Sequence, residues 1–320
     1  MGSLIEGKWV DKIRDTKSTG GKFVRPSAKV RHWVTPDGSP GPSGDGGFKA
    51  EAGRYHLYIA SSCPWAHRTM IFRHLKGLTD MISYSVVNAI SGAHGWTFED
   101  GPGVIPDPEF GAKYLYEVYL KSDPNYTGQV TVPTLWDKDK KTIVSNESSE
   151  IIRMFNSAFD DIGALPGDYY PEHLRDEIDE VNELVYGAVN NGVYRVGFAT
   201  SQEAYDEAYR KLFAALDELD ERLEGKAYLV GDTLTEADWR LFTTLIRFDY
   251  VYYGAFRCNE RRIADYPNLW RLVRRLYQVP GIADTFDVWS TKAHYYASDK
   301  LLAQAKIVPL GPNIDLTQTD

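Results

Sequence analysis

A single cysteine lies where a buried strand is predicted to turn into a helix. Residues 55–60 alternate apolar and polar side chains and then run hydrophobic, which predicts a buried strand. After Cys63, apolar residues recur at three- and four-residue steps, and Pro64 suits the first helical position. At a helix N-terminus, free backbone N–H groups and the positive end of the helix dipole favour the thiolate, the reactive form of cysteine. Arg68, one turn into the helix, adds positive charge.

Cys63 has two interpretations. Most free cysteines are small buried apolar residues, but core packing does not require a cysteine followed by proline at such a turn, and thioredoxin-like folds place a nucleophile there. Ala66 occupies the position of the second cysteine of a Cys-x-x-Cys motif. No local disulfide can therefore form, and the second thiol must come from solution, which points to glutathione. His67 could form a Cys–His pair or a metal site, but no further ligands accompany it, so we expect a structural histidine and no metal.

Composition limits the classes of function. The chain has 320 residues, 43% of them hydrophobic and 25% charged, which is ordinary for a globular protein and long enough for two domains. A net charge of -9 disfavours nucleic-acid and anionic-membrane partners. Two cysteines, Cys63 and Cys258, are too few for a secreted disulfide scaffold, and Cys258 is treated as incidental. With no apolar signal segment evident, we expect a cytoplasmic protein.

The first half of the chain alternates predicted strands and helices. Residues 1–50 are predicted to form an irregular arm, rich in Gly and Pro turns. A second strand at 82–87 completes a parallel βαβ unit. A long insertion at about 88–127 follows, and insertions of this length are usually functional. Residues 130–137 and 142–145 then predict a hairpin.

Two further positions carry candidate binding groups. Pro133 cannot donate to a strand ladder, so it belongs at a strand start or an edge. A cis Val132–Pro133 bond would leave backbone groups of Val132 available to an extended peptide. Residues 146–150 open a helix with acceptor side chains, and its N–H groups make a carboxylate site. Capping alone would also explain Ser148.

The second half is predicted to be all helical. Apolar residues step by three and four from Asp168 onward. Thr200 with Glu203, and Thr235 with Asp238, have the spacing of capping boxes. The fold class is therefore α+β, with a βαβ-ββα domain followed by a helical bundle.

This layout and several motifs resemble the glutathionyl-hydroquinone reductases, also called Xi-class glutathione transferases. The motifs that carry the resemblance are Ser62–Arg68, Val130–Pro133, Trp136-Asp137, Val144–Ser148, Asn190–Tyr194 and Gly197–Tyr205. The resemblance implies an N-terminal arm over 1–50, a thioredoxin-like glutathione-binding domain over 51–165 and an all-helical substrate domain over 166–320, in a homodimer. Near the end, Asp299 and residues 302–304 depart from the Ser-His and Ile-Asn-Pro of the family.

The resemblance also implies an activity and its residues. Cys63 would attack the glutathione sulfur of a glutathionyl-hydroquinone, and a second glutathione, the co-substrate, would release oxidised glutathione. Tyr194 would supply a proton to the aromatic carbon that loses sulfur, although a tyrosine that merely packs is the interpretation without the resemblance. The remaining implied residues are Trp96, Val132, Pro133, Glu147 and Ser148 for glutathione, and Tyr296 with Tyr194 for the quinol.

Two rival functions are left open by the sequence. One is an omega-like cysteine glutathione transferase acting as a thioltransferase or dehydroascorbate reductase, which shares the Cys63 chemistry and differs only in substrate. The other is a non-catalytic glutathione-binding protein, for which replacing Cys63 would be without effect.

Overall fold

The structure is a computed structural model that describes residues 2–11, 15–298 and 306–318. These residues form two compact units, and the division predicted at 50/51 and 165/166 stays a prediction. The first unit contains residues 2–11, 26–167 and 285–298, and the second contains residues 15–25, 168–284 and 306–318. Positions 299–305, which include the departures from the family pattern, lie outside the described residues.

The first unit contains two sheets and four helices among the described residues. Its strands are β1 (Ser3–Ile5), β2 (Lys8–Val10), β3 (Tyr55–Ile59), β4 (Ile82–Val86), β5 (Gly128–Gln129), β6 (Thr134–Asp137) and β7 (Thr142–Ser145). Its helices are α1 (Pro64–Leu75), α2 (Leu115–Ser122), α3 (Ser148–Ser157) and α10 (Val288–Ala297).

The larger sheet has the strand order β4-β3-β6-β7. Strands β3 and β4 are parallel, as the predicted βαβ unit requires, while β6 runs antiparallel to both β3 and β7. Helices α1 and α3 pack against each other. The side chains of β3 are buried on both faces, which explains its hydrophobic run. This mixed sheet confirms the thioredoxin-like fold expected for the first half.

Two parts of the first unit differ from expectation. The arm is not wholly irregular, because β1 pairs with β2 on one side and with β5 on the other. The insertion at 88–127 contains helix α2, which the sequence did not predict. That helix begins where Glu117 Oε2 accepts from the backbone N–H groups of Lys113 and Tyr114, at 2.7 and 3.3 Å.

The second unit is helical, as predicted. Its helices are α4 (Arg175–Leu184), α5 (Gly192–Gly197), α6 (Gln202–Arg222), α7 (Glu236–Arg247), α8 (Tyr253–Ala255) and α9 (Pro267–Tyr277). Two π-helical segments interrupt the pattern, Val185–Asn190 between α4 and α5 and Phe248–Tyr252 between α7 and α8. Among the residues that the structure describes, no helix combines the length and apolar composition needed to cross a membrane.

The structure confirms one of the two predicted helix starts and places the other one residue later. Thr235 begins α7 as predicted, and its backbone N–H donates to Asp238 Oδ2 at 2.9 Å. Helix α6 begins one residue later than predicted, because Ser201 caps it by accepting from Ala204 N–H at 3.3 Å. The hydroxyl of Thr200 instead bonds that of Thr16 at 2.8 Å.

A buried histidine crosslinks the two parallel strands. His56 Nδ1 lies 2.7 Å from Ser83 Oγ, and its Nε2 lies 2.9 Å from Ser85 Oγ. Burial lowers the pKa of His56 to about 4, because the low-dielectric interior disfavours the imidazolium. The folded protein therefore binds this proton less readily than the unfolded chain does.

Because the pKa of His56 is lowered in the folded protein, we expect the free energy of unfolding to depend on pH in the acid range. The free energy of unfolding is expected to fall as pH drops from about 6.5 to about 4, because the unfolded chain takes up the proton first; the contribution is roughly 3 kcal/mol at most. In the His56→Asn variant this part of the decline should disappear. Urea unfolding measured at several pH values checks it, with the exposed His94 changed to Asn as control. Parallel curves for His56→Asn and the unchanged protein would contradict the prediction.

Candidate active site

Cys63 lies four residues after the end of β3 and is the N-cap residue of α1. Its φ and ψ are -82° and 120°, and its carbonyl accepts from His67 N–H at 3.0 Å, so Cys63 is the residue before the first helical turn, as predicted. Pro64 is the first helical residue, and the first turn carries no acidic side chain that would offset the helix dipole. The side chain is 9% exposed. A sulfur at this position receives the positive potential of a twelve-residue helix.

The register of the larger sheet brings Val132 next to this cysteine. Tyr58 of β3 pairs with Thr134 of β6, so the chain leaving β3 runs beside the chain entering β6. The thiol of Cys63 points at the Val132 carbonyl oxygen, with Sγ and O 3.7 Å apart. The Val132–Pro133 bond is cis, and Pro133 directly precedes β6. Val132 therefore lies outside the ladder, at the sheet edge where the sulfur is.

The start of α3 lies at the same edge. Ser145, the last residue of β7, pairs with Leu135 of β6, so the residues after β7 continue past the start of β6. Glu147 is the N-cap of α3, and its Oε1 accepts from Ser149 N–H at 3.0 Å and from the Ser149 hydroxyl at 2.8 Å. Ser148 is the first helical residue and is 3% exposed. The edge therefore presents two helix N-termini, those of α1 and α3.

The insertion returns to this edge through Trp96. Strand β4 is parallel to β3, and Asn88, two residues beyond β4, donates its backbone N–H to Thr97 O at 2.7 Å. The indole of Trp96 is buried against His294 of α10, with ring centroids 4.8 Å apart and planes inclined by 20°. Trp96 thus has a fixed aromatic partner on one face.

His294, which stacks on Trp96, is a residue that the sequence reasoning did not select. Its Nδ1 lies 2.9 Å from Ala89 O and 3.1 Å from Ser298 Oγ, while Ser298 Oγ also accepts from Ser91 N–H at 3.0 Å. Burial lowers the pKa of His294 to about 4, so the ring is neutral near pH 7. These contacts join α10 to the loop before Trp96. Ala89 lies 205 residues before His294 in sequence, so this contact leaves no local signal.

His67 and Arg68 have structural contacts. His67 Nε2 lies 2.8 Å from Thr285 Oγ1, and its ring stacks on Phe286 with centroids 6.0 Å apart, in agreement with a structural histidine. The guanidinium of the buried Arg68 lies 4.6 Å from the ring centroid of Trp65. Within the described ranges, no group of three or more His, Cys, Asp and Glu side chains could hold a metal ion.

The second cysteine has a different environment. Cys258 belongs to the second unit and is fully buried. Burial raises its pKa well above the usual value, because the thiolate would lose its hydration. Cys258 is therefore a buried thiol that resists ionisation.

The two tyrosines assigned to the quinol belong to different units. Tyr296 is a partly exposed residue of α10 in the first unit. Tyr194 is a buried residue of α5 in the second unit, inside an aromatic cluster. Its ring centroid lies 5.5 Å from that of Phe256, 5.7 Å from Phe198 and 6.0 Å from Tyr252. Burial among rings holds the orientation of the Tyr194 side chain.

Models of two glutathione S-transferase domains match the chain, the N-terminal domain over residues 62–158 and the C-terminal domain over residues 202–275. The chain is 55% identical over 319 residues to glutathionyl-hydroquinone reductase YqjG of Escherichia coli, covering 99% of this chain and 97% of that protein. It is 57% identical over 312 residues to glutathionyl-hydroquinone reductase PcpF of Sphingobium chlorophenolicum, covering 98% and 96%.

Solved structures give the same result. The glutathione-bound structure of YqjG, described as a glutathione transferase homolog, superposes with a TM-score of 0.92 at 51% identity, over 99% of this chain and 97% of that chain. A Xi-class glutathione transferase from Natrialba magadii superposes with a TM-score of 0.92 at 43% identity, over 100% and 96%.

The capping role of Glu147 can be tested separately from any role in binding. Glu147→Ala removes the acceptor of Ser149 N–H, so the free energy of unfolding should fall by about 1 kcal/mol. Glu147→Asp keeps a charged acceptor at the N-cap and should retain most of the stability. Urea unfolding of both variants measures this. An equal loss in the two variants would show that capping is not what Glu147 contributes.

Proposed function

The chain belongs to the glutathione transferase family, among the glutathionyl-hydroquinone reductases of its Xi class, and we propose that it reduces glutathionyl-hydroquinones with Cys63 as the nucleophile. The observation that carries this proposal is the position of Cys63, at the N-terminus of α1 and 3.7 Å from the Val132 carbonyl. Ala66 leaves no second cysteine in the motif, so the sulfur must exchange with an external thiol.

In the first step, the Cys63 thiolate attacks the sulfur that joins glutathione to the aromatic ring. The new bond is the disulfide between Cys63 and glutathione, and the bond that breaks joins sulfur to the ring carbon. The carbon keeps the electron pair and takes a proton, which gives the hydroquinone. Cys63 and the glutathione sulfur are oxidised together, while the ring carbon is reduced.

In the second step, a second glutathione thiolate attacks the mixed disulfide. The Cys63 thiolate leaves, and oxidised glutathione is released. The net reaction converts a glutathionyl-hydroquinone and one glutathione into a hydroquinone and oxidised glutathione. The α1 N-terminus favours Cys63 in both steps, because it stabilises the thiolate as nucleophile and as leaving group.

Glutathione is proposed to bind along the edge where β6 begins and α3 starts. The Val132 backbone, outside the ladder before Pro133, pairs with the extended tripeptide. Glu147 and Ser148 hold the γ-glutamyl end, where the α3 N-terminus favours a carboxylate and Glu147 offers a partner to the ammonium. Trp96, backed by His294, packs on the tripeptide. The bound glutathione of the YqjG structure supports this assignment of co-substrate.

The proton for the ring carbon is proposed to come from Tyr194, with Tyr296 lining the quinol. A phenol is a suitable general acid here, because the ring carbon keeps the electron pair of the broken bond and must take up a proton. Both assignments rest on the family pattern, and the fixed orientation of Tyr194 among aromatic rings supports the first.

The proposed setting is a homodimer in the cytoplasm that binds neither nucleic acid nor membranes. The net charge of -9 supports the exclusion of anionic partners. The two cysteines are both free thiols, which suits a reducing compartment.

Replacing the nucleophile tests the reaction directly. With glutathione and glutathionyl-menadiol, the protein should release menadiol, and Cys63→Ser should reduce this release to the uncatalysed rate, because serine cannot form the mixed disulfide. Chromatography of released menadiol measures it. After exposure to oxidised glutathione, intact-protein mass spectrometry should find one glutathione on the unchanged protein and none on Cys63→Ser.

Cys258→Ser is the matched control and should keep both properties, because Cys258 is buried and resists ionisation. Formation of the mixed disulfide without menadiol release would point to thioltransferase or dehydroascorbate reductase activity. If no mixed disulfide forms on Cys63 of the unchanged protein, the proposed reaction is wrong.

Tyr194→Phe separates the carbon chemistry from the sulfur chemistry. Phenylalanine preserves the ring packing but removes the proton, so kcat for menadiol release should fall by about 100-fold or more. The mixed disulfide with oxidised glutathione should form at the unchanged rate, because that step breaks a sulfur–sulfur bond. Stopped-flow and mass spectrometry measure the two steps. A wild-type rate of menadiol release in Tyr194→Phe would remove this residue from the mechanism.

A further inference from the structure

Residues 15–25 belong to the second unit and are fastened at the junction of α5 and α6. Thr200 N–H donates to Gly21 O at 3.0 Å, and Ser201 Oγ donates to Gly20 O at 2.9 Å. Gly21 has φ +88°, and a Cβ there would collide with the Ser201 side chain, so the segment approaches α6 as closely as glycine allows. The path of the chain is thereby fixed just before Phe23 and Arg25.

The end of this segment packs on the aromatic cluster around Tyr194. Phe23 meets Phe198 edge to face, with ring centroids 5.2 Å apart. The guanidinium carbon of Arg25 lies 4.6 Å from the ring centroid of Tyr194 and 5.5 Å from that of Phe23. Of these two rings, the one that lies closer to the guanidinium is that of Tyr194, the proposed proton donor.

Arg25 also holds the start of the helix that carries Tyr194. Its Nε donates to Asn191 Oδ1 at 2.6 Å. Asn191 is the N-cap of α5 and is 3% exposed, and Tyr194 follows three residues later, on the same helix face. The Arg25 side chain thus contacts both Asn191, at the start of α5, and the ring of Tyr194, which α5 carries.

We propose that Arg25 is a positioning residue for Tyr194, fixing its ring and stabilising the phenolate that remains when Tyr194 gives its proton to the substrate carbon. The inference rests on the proposed function, because it assigns Arg25 a role only through that proton transfer. A guanidinium stays charged at any pH at which the enzyme works, so its effect on the phenolate is constant. A cation against an aromatic face also attracts the neutral ring, which keeps Tyr194 in place before the transfer.

The sharpest variant is Arg25→Gln, because a glutamine amide can still donate to Asn191 while the positive charge is lost. In the full-length protein, kcat for menadiol release from glutathionyl-menadiol should fall about tenfold with KM little changed. The alkaline limb of the kcat profile should move to higher pH, since the phenolate is less stabilised. Arg25→Lys keeps a charge and should recover most of the rate.

Two further measurements separate this role from a structural one. The rate of mixed-disulfide formation at Cys63 with oxidised glutathione should not change in Arg25→Gln. In a Tyr194→Phe background, Arg25→Gln should have no further effect on menadiol release, because the two residues act on one step. Circular dichroism verifies that each variant is folded.

The outcomes are distinct. An equal loss in the presence and absence of the Tyr194 hydroxyl, a loss of the mixed-disulfide rate, or an unchanged kcat and pH profile in Arg25→Gln would each overturn the inference while leaving the Cys63 reaction intact. A wild-type rate in Tyr194→Phe would overturn the inference and the assignment of Tyr194 as proton donor, while leaving the Cys63 reaction intact. A lack of menadiol release by the unchanged protein would overturn the proposed function and the inference together.

Discussion

The antiparallel pairing of β3 with β6 is the constraint on which the first unit depends. Because Tyr58 is opposite Thr134, the strand that ends before Cys63 and the strand that begins after Pro133 share one edge of the sheet. Pairing of β6 with β7 then brings the start of α3 to that edge, and parallel pairing of β3 with β4 brings the insertion there. These three strand pairings therefore bring side chains that are far apart in sequence to the same edge of the sheet. A slip of one residue in β6 would reverse its faces and break this arrangement.

The site combines groups with opposite requirements for hydration. A thiolate must be reachable by a second thiol, yet Cys63 is only 9% exposed and lies at the N-terminus of α1, where backbone dipoles favour the thiolate. In the same unit, burial keeps the side chains of His56 and His294 neutral near pH 7, and both form hydrogen bonds that join separate segments of the chain. Among the ionisable groups buried in this unit, these two imidazoles are therefore neutral near pH 7, whereas the Arg68 guanidinium remains charged.

Much of this organisation could be predicted from the sequence, because its determinants are local. The strand before Cys63, the proline at the first helical position and the cap at Thr235 all depend on residues within a few positions of each other. The sequence predicts the start of α6 one residue early, since Thr200 and Ser201 are both good caps. In the structure Ser201 caps the helix, and the Thr200 hydroxyl bonds Thr16, which is far away in sequence. The contacts of His294 with Ala89 and of Arg25 with Tyr194 have no local signal, and only the folded chain reveals them.

The π-helical turn Val185–Asn190 sets the rotation of α5, the helix that follows it and carries Tyr194. There Asn191 N–H reaches back five residues to Tyr186 O, at 3.0 Å, where an α-helix would reach back four. The turn accommodates one residue more than a regular helix, and each residue of an α-helix corresponds to about 100° of rotation. Deletion of one residue from this turn could restore a regular helix and rotate the Tyr194 phenol away from its aromatic neighbours.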